Sequence, residues 1–410
     1  MQIRVRVRRR RRGDAPRRPG RPHATAAVLL LLGAVGAGGC PGSGYAYLLS
    51  SPLAAPAHDG RVHVVTHLVQ HGEGGPVRAW TRHVAIDANE LVPLDAQDVP
   101  ALSIAALAVQ GGDVVALRGV RSAPWVVWWH AGAWHPVEPT ASRRFPAEAR
   151  QRIEAPAGTP YLLQGPKGDV ALFIWSSTSA GMDVLPSPGW LLTLDAGRFV
   201  EARPVRPPAG ARFYGVFATD AEPPFAVFDV FGTEGAFAGT LACDAAACQW
   251  AIDRSAAFPV RDVLTLKAVA GRDGDGTPVL AGACPQGGCT EPGVPVAMPG
   301  EVFYVPIPRG PPEHLRVRPR PGGGFVLASF DPADGHRVHL ATVDPQGTAT
   351  VRTVPLGERQ AAGIELIVRS SSQPPQTVWV FYTEGTTLGV VEVPLGGGPL
   401  QRRTYALATP

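Results

Sequence analysis

Four of the five cysteines stand in two closely spaced pairs, and disulfide formation is the most specific chemistry that the sequence suggests. Cys243 and Cys248 enclose four turn-forming residues, and Cys284 and Cys289 enclose another four. Apolar residues typical of strands flank the first pair, so a hairpin would bring its sulfurs within bonding distance. An even number at matched spacing predicts the disulfides Cys243–Cys248 and Cys284–Cys289 in an oxidising compartment. A four-thiolate zinc site is the alternative, although paired zinc ligands are usually about two to four residues apart.

Four tryptophans are concentrated around one predicted hairpin turn. Trp125, Trp128, Trp129 and Trp134 surround the turn at residues 130–133. Alternation along a strand places Trp125 and Trp129 on one face and Trp128 on the other. The rings either pack between sheets or stack on a sugar ring or a protein partner at a loop rim. They are the candidate ligand-contact residues of this sequence.

No pattern in the sequence predicts a metal site or a cofactor. His63, His67 and His71 are spaced by four, but the surrounding β-branched residues favour a strand. Residues four apart on a strand are separated by about 13 Å, which is too far to share one ion. Residues 271–277 are similar to the first half of a calcium-binding loop. No distal carboxylate follows them, so we expect a tight turn instead.

The sequence contains no complete catalytic motif. It has no nucleophile elbow, no His-Glu-x-x-His pair and no phosphate-binding loop. Asp220, Glu222, Asp229 and Glu234 lie near predicted turns, and a glycosidase needs two spaced carboxylates. Spacing singles out no pair among them. We therefore predict no catalytic residue, and the sequence favours a protein that is not an enzyme.

The first 39 residues are organised like an export signal. An arginine-rich segment precedes an apolar run, residues 24–35, and small residues follow directly before Cys40. The run is shorter than the roughly 20 apolar residues that a membrane-spanning helix needs. The last four residues of this stretch, Ala37-Gly38-Gly39-Cys40, resemble the lipobox of bacterial lipoproteins.

The lipoprotein resemblance implies a location and an anchor. In that family the cysteine becomes the mature N-terminus and is diacylated, typically with palmitate, so Cys40 is the expected lipidation site. The protein would then be exported and held on a membrane of the cell envelope by its N-terminal lipid. Pro41 follows the cysteine where an inner-membrane retention signal has aspartate, which favours the outer membrane. An ordinary cleaved signal without a lipid is the alternative.

The charge distribution argues against a nucleic-acid partner. Residues 1–39 contain ten arginines and one aspartate, so their removal changes the formal net charge from +4 to −5. The isoelectric point near 8.9 therefore describes the precursor. The mature chain has no basic domain of the kind that binds nucleic acid.

The chain after the export signal divides into a tether and a body. Residues 40–59 are rich in Gly, Pro, Ser and Ala and predict a flexible tether, although residues 45–49 could instead dock on the body. Residues 60–410 alternate short apolar runs with turn residues, and only residues 146–154 predict a helix. We therefore expect an all-β body.

The strand clusters of the body recur at intervals of about 45–50 residues, which is the length of a four-stranded propeller blade. We predict a β-propeller of about seven four-stranded blades, with two packed β-sandwich or barrel domains as the alternative. The predicted units are residues 60–87, 102–138, 161–205, 211–252, 263–307, 314–356 and 362–407.

Two functional hypotheses agree with these features. The first is an exported, lipid-anchored, non-enzymatic binding or scaffold protein of the cell envelope, with a protein or a glycan as partner. The second is an exported glycan-active enzyme on the same propeller scaffold, which would use turn carboxylates and the tryptophans between Trp125 and Trp134. The absence of catalytic motifs favours the first hypothesis.

Overall fold

The computed structural model describes residues 3–6, 46–57, 59–72, 75–87, 90–94, 99–100, 104–118, 126–140, 145–154, 159–164, 169–175, 189–206, 208, 210–218, 224–230, 233, 235–260, 269–282, 291–311, 314–369 and 376–407. These ranges contain 32 strands and one helix, α1 (Ala147–Glu154), which confirms the predicted all-β class and the predicted short helix. No helix in the described ranges is both long and apolar enough to cross a membrane.

The strands are, in chain order, β1 (Ile3–Arg6), β2 (Ala46–Leu49), β3 (Leu53–Pro56), β4 (Val62–Gly72), β5 (Gly75–Asp87), β6 (Glu90–Pro93), β7 (Val99–Pro100), β8 (Ile104–Gln110), β9 (Asp113–Arg118), β10 (Val126–His130), β11 (Ala133–Pro136), β12 (Glu138–Pro139), β13 (Thr159–Gln164), β14 (Val170–Trp175), β15 (Gly189–Asp195), β16 (Arg198–Arg206), β17 (Ala211–Ala218), β18 (Phe225–Val230), β19 (Ala236–Cys243), β20 (Cys248–Phe258), β21 (Val269–Arg272), β22 (Pro278–Ala281), β23 (Val294–Met298), β24 (Glu301–Val305), β25 (Leu315–Pro319), β26 (Phe325–Phe330), β27 (Arg337–Val343), β28 (Thr348–Pro355), β29 (Ile364–Arg369), β30 (Thr377–Glu384), β31 (Thr387–Pro394) and β32 (Gln401–Ala406).

These strands form seven antiparallel sheets that follow one another along the chain. β2–β7 make the first sheet and β8–β11 the second, and the remaining five are β13–β16, β17–β20, β21–β24, β25–β28 and β29–β32. In each of the last six sheets, every strand pairs with the next strand of the chain. Three short pairings lie at outer strands: β1 with β28, β12 with β16, and β16 with β20.

The apolar side chains lie between neighbouring sheets. Side chains alternate between the two faces of a strand, and in β26 both faces are buried. Phe325 and Leu327 pack in the cluster that the sixth sheet shares with the fifth, whereas Val326 and Ala328 pack in the cluster shared with the seventh. Such a strand is therefore apolar at almost every position.

The ring of sheets is closed. Phe381 and Leu388 of the seventh sheet share a buried cluster with Val64 and Leu68 of the first, and every other neighbouring pair of sheets shares a cluster of its own. The molecule is a seven-bladed β-propeller, as the repeat of strand clusters predicted.

The segment before residue 60 takes part in the closure. β2 and β3 both pair with β4, so residues 46–56 belong to the first blade. The Leu49 amide donates to the carbonyl of Gly385 in the seventh blade at 2.7 Å, and the Thr383 hydroxyl donates to the Ser50 carbonyl at 2.7 Å. We expected a flexible tether at residues 40–59; residues 46–56 instead dock, because Leu49 is only 3% exposed in the apolar cluster of the seventh blade.

Side chains connect the inner strands of neighbouring blades, which belong to separate sheets. Gln164 of β13 bonds both the amide and the carbonyl of Val109 in β8, at 3.2 and 3.3 Å. Between the sixth and seventh blades, Glu365 accepts hydrogen bonds from Arg316 at 3.1 Å and from Arg318 at 2.7 Å. The carboxylate of Glu365 compensates one of the two positive charges inside the ring, and we assign the three side chains a structural role.

Candidate functional site

The first predicted disulfide is present in the structure. Cys243 is the last residue of β19 and Cys248 the first residue of the paired strand β20, and their sulfurs are 2.10 Å apart. Two sulfurs bonded to each other cannot both serve as zinc thiolates, so the alternative zinc site is wrong for this pair. Cys40 and the pair Cys284–Cys289 lie outside the described residues, and their lipidation and bridging stay predictions.

Two of the four candidate tryptophans lie inside the joint between the first and second blades. Trp129 is 6% exposed, and its ring meets that of Trp134 at 5.3 Å between centroids. Both rings also contact His83 of the first blade, at 5.0 and 5.4 Å. Burial and mutual packing place these two rings among the side chains that hold the blades together.

A third tryptophan faces the opposite neighbour. Trp128 is half-buried toward the third blade and lies so close to Gly197 that a Cβ atom there would be 2.1 Å from the indole. Its ring also stacks on that of His130, at 4.6 Å between centroids, and lies 6.1 Å from that of His135. The opposite orientations of Trp128 and Trp129 confirm the predicted alternation, whereas Trp125 lies outside the described residues.

A buried pair of histidines stands beside the tryptophans. His63 Nδ1 and His83 Nε2 are 3.1 Å apart, and the side chains are 4% and 1% exposed. Burial, with the charge of His63 as the second cause, lowers the pKa of His83 to about 3. Burial also lowers the pKa of His63. One neutral ring therefore donates to the other near neutral pH, and this pair belongs to the blade joint.

The loop that resembles half of a calcium site forms a tight turn. The Asp273 carboxylate accepts hydrogen bonds from the amides of Asp275 at 3.0 Å and Thr277 at 2.7 Å. Its oxygens are thus directed at the backbone of their own loop. In the described part of the chain, no three His, Cys, Asp or Glu side chains are grouped so that they could hold a metal ion.

A cleft of about 560 Å³ lies between the second and third blades. Its apolar floor contains Val137, Leu172 and Phe199, all of them buried. The volume is in the range of about 300–1,000 Å³ that small-ligand sites usually have, and such sites are also mostly apolar. The cleft is therefore a candidate binding site, and none of the sequence-predicted site residues that the structure describes lines it.

Among the described residues that line the cleft, four carry a charge: Glu138, Arg150, Arg152 and Glu154. Arg150 is held in place, because it donates to the Thr140 carbonyl and its guanidinium lies 5.3 Å from the centroid of the Phe145 ring. The other three form no hydrogen bond or ion pair with the residues that the structure describes. Their charges are available to a ligand in the cleft.

Local sequence explains how the charges reach the cleft. Glu138 lies in β12, which leaves the second blade and pairs in parallel with the start of β16 in the third. Helix α1 connects the two blades and is anchored by its buried residue Ala149. Residues four apart share one helix face, so Arg150 and Glu154 lie one above the other. The sequence predicts the helix but not the site, because no spacing of residues along the chain indicates that the helix and β12 border one cleft.

Comparisons with known proteins give low similarities. No family model and no curated protein matches the chain. The polysaccharide lyase Uly1 is 10% identical over 86% of this chain and 88% of that one, with a TM-score of 0.45. A xylan β-1,4-xylosidase from Bacillus halodurans is 10% identical over 88% of this chain and 90% of that one, with a TM-score of 0.26. A puromycin-hydrolysing peptidase from Mycobacterium tuberculosis is 14% identical over 82% of this chain and 58% of that one, with a TM-score of 0.38.

These comparisons contradict our first functional hypothesis. The three structures named above are enzymes by their names, and two of those names, a polysaccharide lyase and a xylosidase, refer to glycans. The expectation of a non-enzymatic binding or scaffold protein is therefore withdrawn. At such low TM-scores, the similarity assigns no substrate, reaction or residue to this chain.

Proposed function

We propose that the protein is an exported, lipid-anchored enzyme of the bacterial cell envelope that acts on a glycan bound in the cleft between the second and third blades. The observation that carries the proposal is the cleft itself, with Glu138 and Glu154 beside an apolar floor. A sugar ring has an apolar face and a hydroxylated edge, and the cleft offers a complementary surface to each.

The two glutamates supply the chemistry that a glycosidic bond requires. Hydrolysis generally uses two carboxyl groups, one to protonate the leaving oxygen and one to activate water or to attack the sugar. Glu138 and Glu154 border one cleft from different elements, β12 and α1, so a substrate between them would meet both. The resemblance of residues 37–40 to a lipobox supports the export and the anchor at Cys40, which would place the cleft among envelope or extracellular glycans.

A screen of the purified full-length chain against neutral and acidic polysaccharides tests the proposal. The expected result is release of new reducing ends from at least one glycan. Replacement of an acid–base carboxylate should lower the rate by about a hundred- to ten-thousandfold. We therefore expect this loss in Glu138→Gln or Glu154→Gln.

Glu148→Gln is the matched control, because Glu148 is exposed on the same helix but does not line the cleft. The control should retain the wild-type rate. Absence of product from every glycan, with the protein folded, would refute the proposal. So would a rate that is the same in wild type and in both cleft variants.

A further inference from the structure

We infer that the glycan is acidic and that Arg152, assisted by Arg150, binds the carboxylate or sulfate group of one of its sugars. This inference rests on the proposed function and names the substrate class of the same cleft.

Arg152 is the charged group of the cleft that most needs a partner. Its side chain is half-buried in the last turn of α1, and it forms no hydrogen bond or ion pair within the described part of the chain. A guanidinium keeps its charge at every physiological pH, so it cannot become neutral when water is excluded. A carboxylate or sulfate offers two oxygens that match the geometry of its N–H groups.

Arg150 provides a second, immobilised positive charge in the same cleft. Its bond to the Thr140 carbonyl uses one Nη atom, and the Phe145 ring supports the guanidinium on one side. Its charge is thereby held at a fixed place beside the cleft. A pre-positioned guanidinium loses less conformational entropy when an anion binds than a free side chain does.

The two glutamates favour a cationic ligand less than the two arginines favour an anionic one. Glu138 and Glu154 are exposed, whereas both arginines are half-buried. Water solvates an exposed carboxylate well, so it gains little from a partner. A half-buried arginine has lost part of its water and gains more. The difference in burial therefore directs the recognition toward an anion.

Binding of matched oligosaccharides to the full-length chain tests the inference. The ligands are an oligogalacturonate, its fully methyl-esterified form, a sulfated carrageenan oligosaccharide and a chitosan oligosaccharide. The ester has the same sugar backbone as the first ligand but carries uncharged methyl ester groups in place of its carboxylates, and calorimetry measures each affinity. We expect binding of the galacturonate or of the sulfated sugar, and the comparison of these two identifies the anionic group.

Variants assign the effect to the cleft. Loss of a hydrogen bond to a charged group typically weakens binding by about ten- to a hundredfold, which is the expected result for Arg152→Ala. Arg152→Lys should retain part of the affinity, and Glu154→Gln should raise it, because a like charge is removed. Arg254→Ala changes an exposed arginine of the fourth blade and should leave the affinity unchanged. Circular dichroism confirms that each variant is folded.

Two results would overturn the inference. One is equal affinity for the ester and the free acid, and the other is preferential binding of the cationic chitosan. If a neutral glycan is cleaved and acidic sugars are not bound, the enzyme proposal survives and the acidic substrate class is wrong. If no glycan is bound or cleaved, both are wrong.

Discussion

Acid should destabilise this protein through the buried histidine pair at the joint between the first and second blades. His83 is 1% exposed, and its pKa in the folded protein is about 3. In the unfolded chain the pKa returns to an ordinary value of about 6.5. The unfolded state therefore binds a proton that the folded state refuses, and stability is lost as the pH falls below 6.5.

The magnitude follows from the two pKa values. Each pH unit between them changes the free energy of unfolding by about 1.4 kcal/mol, so the loss between pH 8 and pH 5 is about 2 kcal/mol from His83 alone. The lowered pKa of His63 adds to the loss in the same direction. The nearby charges of Asp59, Arg61 and Asp113 act on His63 less strongly than its burial does.

Urea unfolding of wild type and of His83→Asn at pH 8 and at pH 5 measures the effect. The variant will be less stable at both pH values, because it loses packing against Trp129 and the bond to His63. The informative quantity is the difference between the two pH values, which should be smaller in the variant by about 2 kcal/mol. His336→Gln, which removes an exposed histidine, should keep the wild-type difference. An equal pH difference in wild type and in His83→Asn would refute the reasoning.

Three further perturbations test the fold. Replacing both Cys243 and Cys248 by serine should lower the free energy of unfolding by about 2 kcal/mol, because a short closed loop is released in the unfolded chain; an unchanged denaturation midpoint would contradict this. Glu365→Gln should cost about 3 kcal/mol in the same assay, because two half-buried arginines lose their carboxylate partner; a loss below 1 kcal/mol would show that the pair is solvated. Gly197→Ala should destabilise more than Gly112→Ala: both glycines have positive φ, but only at the first would the new methyl group meet an indole ring. Equal melting temperatures of these two variants would show that the contact between the new methyl group and the indole ring does not lower stability.

Much of the fold could be predicted from the sequence, because propeller blades are local units. Strands that follow one another along the chain pair with one another, so strand clusters mark the blades directly. The unit predicted at residues 314–356 corresponds to the sheet β25–β28, and the unit predicted at residues 362–407 corresponds to the sheet β29–β32. The first unit was short because its inner strand comes from residues 46–56. The composition of that segment predicted a tether, but the segment is docked on the propeller because Leu49 is buried against the last blade.

The candidate site could not be predicted, because it is created by the packing of two blades. Glu138 and Glu154 belong to different elements, and no spacing in the sequence shows that they share a cleft. The tryptophans show the reverse case, in which residues that the sequence suggests as ligand contacts are buried in the fold. Their density suggested ligand contacts, yet Trp129 and Trp134 meet His83 from another blade inside the joint. A sequence shows which side chains could do chemistry, and the packing decides which of them face a ligand.

In the proposed function, a glycan occupies the cleft between the second and third blades. Hydrogen exchange of the Glu154→Gln variant, with and without the glycan that the wild type cleaves, tests it most directly, because the slowed variant keeps its substrate. We predict slower exchange in peptides that contain Val137–Glu138 and helix α1, and no change in the sixth blade. Protection elsewhere in the propeller, with unchanged exchange in α1, would show that the glycan does not bind in this cleft.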